Sequence, residues 1–117
     1  MRKIVFYNLP SGKSPVEEFL NSLSGKDAQK VVWVLQLIEE LGVVPANYLK
    51  NLVNTDGIIE VRVRSGNNIF RILGFRDGND FVVLTNGFHK KSQQTPRKEI
   101  KLAEERKKDY LSRKGKK

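Results

Sequence analysis

The sequence contains no cysteine and only one histidine, one methionine and one tryptophan in 117 residues. Without cysteine, disulfides and thiolate metal sites are excluded, and a single histidine disfavours transition-metal binding. No apolar run approaches the roughly 20 residues that a membrane span needs, and the start MRKIVFYNLPSGK lacks the apolar stretch of a signal peptide. We therefore expect one cytoplasmic domain over residues 1–117, with no membrane contact, metal or cofactor.

Positive charge is concentrated towards the C-terminus. Residues 89–117 contain 12 lysine or arginine residues and 4 acidic ones, a net charge of +8, whereas residues 1–88 contain 10 and 9, a net charge of +1. This asymmetry predicts a polyanionic partner, either nucleic acid or an acidic protein. For the final segment SRKGKK, a solvated basic tail is the simpler interpretation.

Two helices are predicted in the first half of the chain. Ser14, Pro15 and Glu17 have the spacing of an N-cap, a first helical residue and a capping box. After an expected break at SGKD, the segment AQKVVWVLQLIEEL keeps apolar residues at helical spacing, and Gly42 is expected to end the helix. The pair is typical of an αα-hairpin. Trp33, beside the apolar stripe, is expected to be partly buried packing.

The second half has the pattern of a sheet. KIVFYN near the N-terminus has strand composition, IIEVRVR alternates apolar and charged residues, and IFRILGF and FVVLTNGF follow it. The turn SGNN and a type I′ turn at Asp77-Gly78 predict a three-stranded antiparallel meander.

A long basic helix is predicted to follow the meander. Thr95 and Pro96 have the pattern of a cap and a first-turn residue, and the helix is expected to run from 96 to about 112. Ile100, Ala103 and Tyr110 share a face that can dock it on the sheet.

The first hairpin predicts a pair of facing arginines. A loop at SGNN places Arg62 opposite Arg71, and like charges across a ladder are destabilising by up to about 1 kcal/mol. A phosphate-binding site accounts for the pair, because guanidinium groups fit phosphate oxygens in bidentate fashion. A salt-bridge network of Glu60 with both arginines on an exposed face accounts for it equally well.

The second hairpin is expected to bring further cations to the same site. A turn at Asp77-Gly78 places Leu84 opposite Arg71, so the exit of the last strand lies near the arginines. His89, Lys90 and Lys91 are then expected to converge on a bound anion. A lysine crowded by cations has a lowered pKa, and histidine titrates near neutrality, so these side chains are candidate general acids or bases.

The segments EVRV, FRILGF and LTNGFHKKSQQTPRKEIKLAEERKKDY together resemble the RelE/ParE toxin superfamily, specifically its phage-derived Gp49-like, HigB-type branch. The resemblance covers nearly the whole chain. It implies an α+β, RelE-like fold in which an antiparallel sheet is flanked by an N-terminal αα-hairpin and a C-terminal basic helix.

The resemblance also implies an activity and partners. Members are toxins of type II toxin–antitoxin systems that act as mRNA interferases, usually in the ribosomal A site, and helix-turn-helix antitoxins neutralise them. It implies catalytic roles for Arg71, Arg62, Lys90 and Lys91, to which the sequence adds His89. Four further cations are expected to bind RNA: Arg64, Arg97, Lys98 and Lys101.

The chain departs from the family pattern at two places. Glu60 stands where some relatives carry a lysine, and Tyr110 is the nearest counterpart of the C-terminal aromatic residue that some relatives stack on a base. Two other functions fit the same sequence. One is a ParE-like toxin that inhibits DNA gyrase without hydrolysis, and the other is a basic nucleic-acid-binding module without chemistry.

Overall fold

The structure is a computed structural model that describes residues 2–115. Within that range the chain forms five strands and three helices: β1 (Lys3–Phe6), α1 (Pro15–Asn21), α2 (Gly25–Glu40), β2 (Leu49–Asn51), β3 (Ile58–Ser65), β4 (Asn68–Asp77), β5 (Phe81–His89) and α3 (Arg97–Lys114). The strands form one sheet in the order β1-β5-β4-β3-β2, with β1 parallel to β5 and the other pairs antiparallel. The predicted α+β, RelE-like class is confirmed.

Serine side chains cap both N-terminal helices. The Ser14 hydroxyl accepts a hydrogen bond from the Glu17 backbone N–H at 3.2 Å, as predicted. The predicted break between the helices exists but lies earlier than SGKD, at residues 22–24: the Ser24 hydroxyl accepts from the Asp27 N–H at 3.2 Å, and Gly25 is already helical. A second serine cap therefore starts α2 within the segment that was expected to be a loop.

The end of α2 also differs from the prediction. The helix ends at Glu40, and Leu41 is extended with ψ of 133°, so Gly42 does not form a left-handed cap. Instead the Arg2 guanidinium donates hydrogen bonds to the carbonyl oxygens of Ile38, Leu41 and Gly42 at 2.8, 2.6 and 2.9 Å. These bonds satisfy carbonyl groups that a glycine cap otherwise serves.

The main core lies between the sheet and the first two helices. The alternating apolar residues of β3 face α2, as predicted, and their counterparts on β4 extend the same surface. The buried side chains include Ile59, Val61, Val63, Phe70, Ile72, Val31, Val34, Leu35 and Ile38. Each such side chain contributes about 1.5–3 kcal/mol when it leaves water, so this face fixes which residues of β3 point the other way.

The hairpin between β3 and β4 has the predicted register. Arg62 pairs with Arg71, and Ser65 pairs with Asn68 at the turn. Gly66 in the turn has φ of 60°, a conformation that glycine adopts without strain. The two arginines therefore lie directly across the ladder from each other.

The register predicted for the second hairpin is wrong. Asp77 pairs with Phe81 instead of closing a two-residue turn, and a bulge next to Gly74 shifts the pairing again. Arg71 consequently lies opposite Phe88, not Leu84. The shift moves the exit of β5 closer to the arginines than the two-residue turn predicts.

The start of α3 also differs from the prediction. Thr95 does not cap the helix, which begins at Arg97 after Pro96 with no side-chain cap. The Thr95 hydroxyl donates instead to a carboxylate oxygen of Glu60. A hydrogen bond to a buried carboxylate is stronger than one between neutral groups, so this contact outweighs capping.

The predicted docking face of α3 is confirmed. Ala103 is fully buried, Ile100 packs with it against β3 and β4, and the ring of Tyr110 meets Phe75 edge to face at 5.5 Å. The helix covers the part of the sheet near Phe75 and leaves the arginine end of β3 open.

The C-terminal segment is helical as far as Lys114, so the helix extends into the segment that was predicted to be a basic tail. The helix continues to Lys114, whose Nζ lies 2.7 Å from a carboxylate oxygen of Asp77, and Arg113 pairs with Asp109. The last two lysines of the predicted tail lie outside the described residues. Within residues 2–115, no helix combines the length and apolarity needed to cross a membrane.

Candidate functional site

A basic surface lies on the α3 side of the sheet, beyond the part that the helix covers. Because Val61 and Val63 point into the core, Glu60, Arg62 and Arg64 point to the opposite face. Arg71 of β4 and Lys50 of β2 join them, since Arg71 pairs with Arg62 and Lys50 pairs with Glu60. The lysine at 50 was missed in the sequence because its short strand lies within what looks like a connector.

Glu60 is the hub of this surface. Its side chain is only 1% exposed, and its Oε1 lies 3.1 Å from Arg62 Nε and 3.5 Å from Arg71 Nε, while its Oε2 accepts from the Thr95 hydroxyl. The salt-bridge network considered from the sequence therefore exists, but its acid is buried rather than exposed. One carboxylate serves two guanidinium groups, so the cluster keeps an excess positive charge.

Arg71 is the most desolvated cation of the cluster. Its side chain is 12% exposed, Nη1 donates to the Phe70 carbonyl at 3.1 Å, and Nε is buried without a hydrogen-bond partner although it is ion-paired with Glu60. Burial lowers its pKa, as do Arg62 and Arg64, while Glu60 raises it. The guanidinium remains charged at neutral pH, so an added anion reduces the cost of its burial.

Lys90 extends the cluster beyond the end of β5. Its backbone N–H donates to the Ile69 carbonyl at 2.8 Å, which holds the residue beside Arg71. Burial lowers the pKa of its ammonium group, and the positive charge of Arg71 lowers this pKa further. The negative charge of Glu60 raises it. Lys91 is exposed and lies beside it. Both lysines line one groove with Arg71, a volume of about 390 Å³ that we call the lysine groove.

The structure does not bring His89 into this cluster. His89 pairs with Phe70, and the two ring centroids are 5.1 Å apart. Phe70 belongs to the core between the sheet and the first two helices, so His89 lies on the opposite face of the sheet from Arg71.

The four predicted RNA-binding residues divide into two places. Arg64 is exposed and lines a groove of about 420 Å³ together with Arg62 and Arg71, which we call the arginine groove. The other three, Arg97, Lys98 and Lys101, line a separate groove of about 620 Å³ between α3 and the loop after β2. Arg71 belongs to both the arginine groove and the lysine groove and therefore marks their junction.

Cofactor or metal ligands are not gathered at this site. Across residues 2–115, no group of three histidine, aspartate or glutamate side chains is placed to hold a metal ion. Glu60, the acid at the centre, already accepts from Arg62 and Thr95. The residues present are suited to hold an anion.

The chain matches the family described as phage-derived protein Gp49-like (DUF891) over residues 18–108. The matched region includes Glu60, both facing arginines and both lysines after β5. A search of the curated proteins gives no match. Since the family match spans well over half of the 117 residues, the chain belongs to the phage-derived Gp49-like family.

Proposed function

We propose that this protein is the toxin of a type II toxin–antitoxin system and that it is a metal-independent mRNA interferase. Family membership is consistent with a toxin of this kind. The observation that carries the proposal is the pairing of Arg62 with Arg71 around the single buried acid Glu60. A structural ion pair needs one arginine, whereas the second supplies unbalanced charge at the junction of two grooves.

The substrate group that fits this charge is a phosphodiester. Guanidinium groups bind phosphate oxygens in bidentate fashion. In a partly buried site the lower local dielectric strengthens the attraction between these cations and a phosphate. Arg62 is more exposed than Arg71, so an incoming phosphate meets Arg62 first and Arg71 at greater depth. The net charge of +9 favours association with a polyanion.

Cleavage of RNA at such a site needs no nucleophile from the protein. The substrate 2′-hydroxyl loses its proton to a general base and its oxygen bonds to the adjacent phosphorus. The bond from phosphorus to the 5′ oxygen then breaks, and that oxygen takes a proton, which leaves a 2′,3′-cyclic phosphate and a 5′-hydroxyl. Arg62 and Arg71 stabilise the extra negative charge that develops on the non-bridging phosphate oxygens.

The proton transfers fall to the lysine side of the site. Arginine is a poor proton shuttle because its guanidinium group stays protonated throughout the physiological pH range. Lys90 has a lowered pKa and lines the lysine groove with Arg71, so it is our candidate for general base or acid, with exposed Lys91 as the alternative. His89 faces the other side of the sheet, which argues against a direct role for it.

The resemblance to the HigB-type branch extends the proposal to partners. We expect the substrate to be mRNA on the ribosome, and we expect a helix-turn-helix antitoxin to neutralise the protein in the cytoplasm. The groove formed by Arg97, Lys98 and Lys101 is a second basic surface that an acidic partner can bind.

The test is to map mRNA 5′ ends in a translating lysate for the wild type and for Arg71→Ala. New 5′-hydroxyl ends that disappear in the variant support the proposal. Arg76→Ala is a matched control, because Arg76 is an exposed arginine of the same strand whose guanidinium donates to Asn51 outside both grooves. Translation arrest without new ends contradicts cleavage and favours a toxin that acts by binding alone.

A further inference from the structure

The basic grooves form a continuous track that runs past one aromatic residue. The lysine groove joins the arginine groove at Arg71. A third groove of about 390 Å³ shares Lys30 and Arg64 with the arginine groove and adds Lys26 of α2. Among the described residues that line these three grooves, none is acidic. Such a track suits the backbone of a single strand of nucleic acid longer than one phosphate.

Tyr48 is the aromatic residue on this track. It lines the arginine groove, and its carbonyl oxygen accepts a hydrogen bond from the Arg62 backbone N–H at 2.8 Å. The residues that pair next along β2 and β3 are Leu49 and Val61. The tyrosine is therefore tied by the backbone to one of the two facing arginines.

Trp33 holds the ring of Tyr48 from the side of α2. The two ring centroids are 6.0 Å apart at an interplanar angle of 76°, an edge-to-face contact. Lys30 Nζ lies 4.4 Å from the centroid of the Trp33 ring, and the tryptophan is 44% exposed. Because Trp33 is so exposed, core packing alone does not account for its contacts with Tyr48 and Lys30.

The aromatic residue near the C-terminus is engaged elsewhere. The Tyr110 hydroxyl donates to an Asp77 carboxylate at 3.1 Å, and its ring packs on Phe75. Tyr110 therefore docks α3 on the sheet and has no place on the track.

We infer that Tyr48, supported by Trp33, is a stacking platform for a base of single-stranded RNA, next to the phosphate held by Arg62 and Arg71. The inference rests on the proposed function for the identity of its ligand. Stacking on an aromatic ring beside a cationic groove is the usual way in which proteins hold single strands, and it tolerates any base. Tyr48 is accordingly a binding residue and takes no part in proton transfer.

The chain carries its own reporter for this subsite. Trp33 is the single tryptophan, so a ligand that reaches Tyr48 changes the fluorescence of one known ring. The probe is a 2′-O-methylated hexa-adenylate, which cannot be cleaved through its 2′ oxygen. A hexamer of the same sugar-phosphate backbone without bases serves as the charge-matched control.

We expect the adenylate to bind more tightly than the base-free hexamer, and only the adenylate to change Trp33 fluorescence. By anisotropy with a labelled probe, Tyr48→Ala is expected to weaken adenylate binding about 5- to 150-fold, the range for loss of one stacked base. Tyr48→Phe retains the ring and is expected to retain binding. Phe81→Ala, which removes an exposed aromatic side chain from the far end of β5, is the control.

Equal affinity for the two hexamers, or an equal loss of both in Tyr48→Ala, overturns the inference, as does no binding at all. Because the probe cannot be cleaved, the result is separate from that of the cleavage test. Base-dependent binding without cleavage supports the stacking role of Tyr48 and contradicts the proposed ribonuclease activity. Cleavage without base-dependent binding supports the proposed ribonuclease activity and contradicts the stacking role of Tyr48.

Discussion

Arg62 and Arg71 lie directly across the ladder of β3 and β4, and both contact the same carboxylate oxygen of Glu60. The arrangement reduces the repulsion of like charges without neutralising it. Because two guanidinium groups pair with one carboxylate, the site keeps an excess of positive charge. A phosphate supplies that charge, and the more buried arginine gains most from it.

The first prediction concerns that buried arginine. Arg71→Ala is expected to lower the rate of RNA cleavage about 100- to 1000-fold, the usual cost of removing one group that stabilises charge in the transition state. Arg71→Lys keeps the charge but loses the planar fork, and we expect an intermediate rate. Single-turnover cleavage measures the effect, with thermal unfolding to verify the fold. Equal losses in RNA binding and in cleavage contradict a role in the transition state.

The second prediction concerns the titration of Lys90. Its pKa is lowered by burial and by Arg71, and Glu60 opposes the shift, so Glu60→Gln is expected to lower this pKa further. The ammonium loses its proton above its pKa, so Lys90 becomes neutral at lower pH than a lysine in free solution. Nuclear magnetic resonance of the lysine side chains measures the Lys90 pKa in the wild type and in Glu60→Gln. An unchanged or higher Lys90 pKa in Glu60→Gln contradicts the electrostatic coupling.

The third prediction concerns the bond from Thr95 to Glu60. Thr95→Val removes the hydroxyl donor from a buried carboxylate and is expected to lower the free energy of unfolding by about 1.5–3 kcal/mol. Thr95→Ser keeps the donor and is expected to lose much less. Chemical denaturation measures the difference. Equal values for the two variants point to packing of the threonine methyl group instead.

The fourth prediction concerns acid stability. The hydrogen bond from Lys114 lowers the pKa of Asp77, and Tyr110 contributes in the same direction. These contacts to ionised Asp77 stabilise the folded state at pH values above the unfolded-state pKa of the carboxyl group. The stabilisation is lost as pH falls through the lower folded-state pKa. Asp77→Asn is therefore expected to flatten the decline of unfolding temperature in acid. Asp80→Asn in the neighbouring loop is the control, and a similar flattening there contradicts the assignment.

The fifth prediction concerns the bulge that sets the register of β5. A Cβ on Gly74 would clash with the Val83 carbonyl oxygen, a backbone atom that shifts less readily than the end of a side chain. Gly74→Ala is expected to lower the free energy of unfolding by about 1–3 kcal/mol or more. Gly25→Ala has open space at the start of α2 and is the matched control. A neutral Gly74→Ala shows that the bulge adapts.

Local patterns determined much of the fold. Alternation of apolar and charged residues over IIEVRVR assigned the faces of β3, and the SGNN turn fixed the pairing of Arg62 with Arg71. The cap at Ser14 and the docking face of α3 followed in the same way. These features depend on residues near one another in sequence, where spacing alone fixes geometry.

Longer-range features depended on the tertiary structure. The bulge beside Gly74 reset the register of β5 and turned His89 away from the arginines, because a close backbone approach is not encoded by local alternation. Glu60 is buried, and Thr95, 35 residues away, donates a hydrogen bond to it, which no local pattern could predict. Sequence by itself determined that two arginines face each other near Glu60, because the hairpin register sets which side chains share a face. Packing of distant segments decided that this acid is buried and that Lys90 and Tyr48 lie beside the arginines.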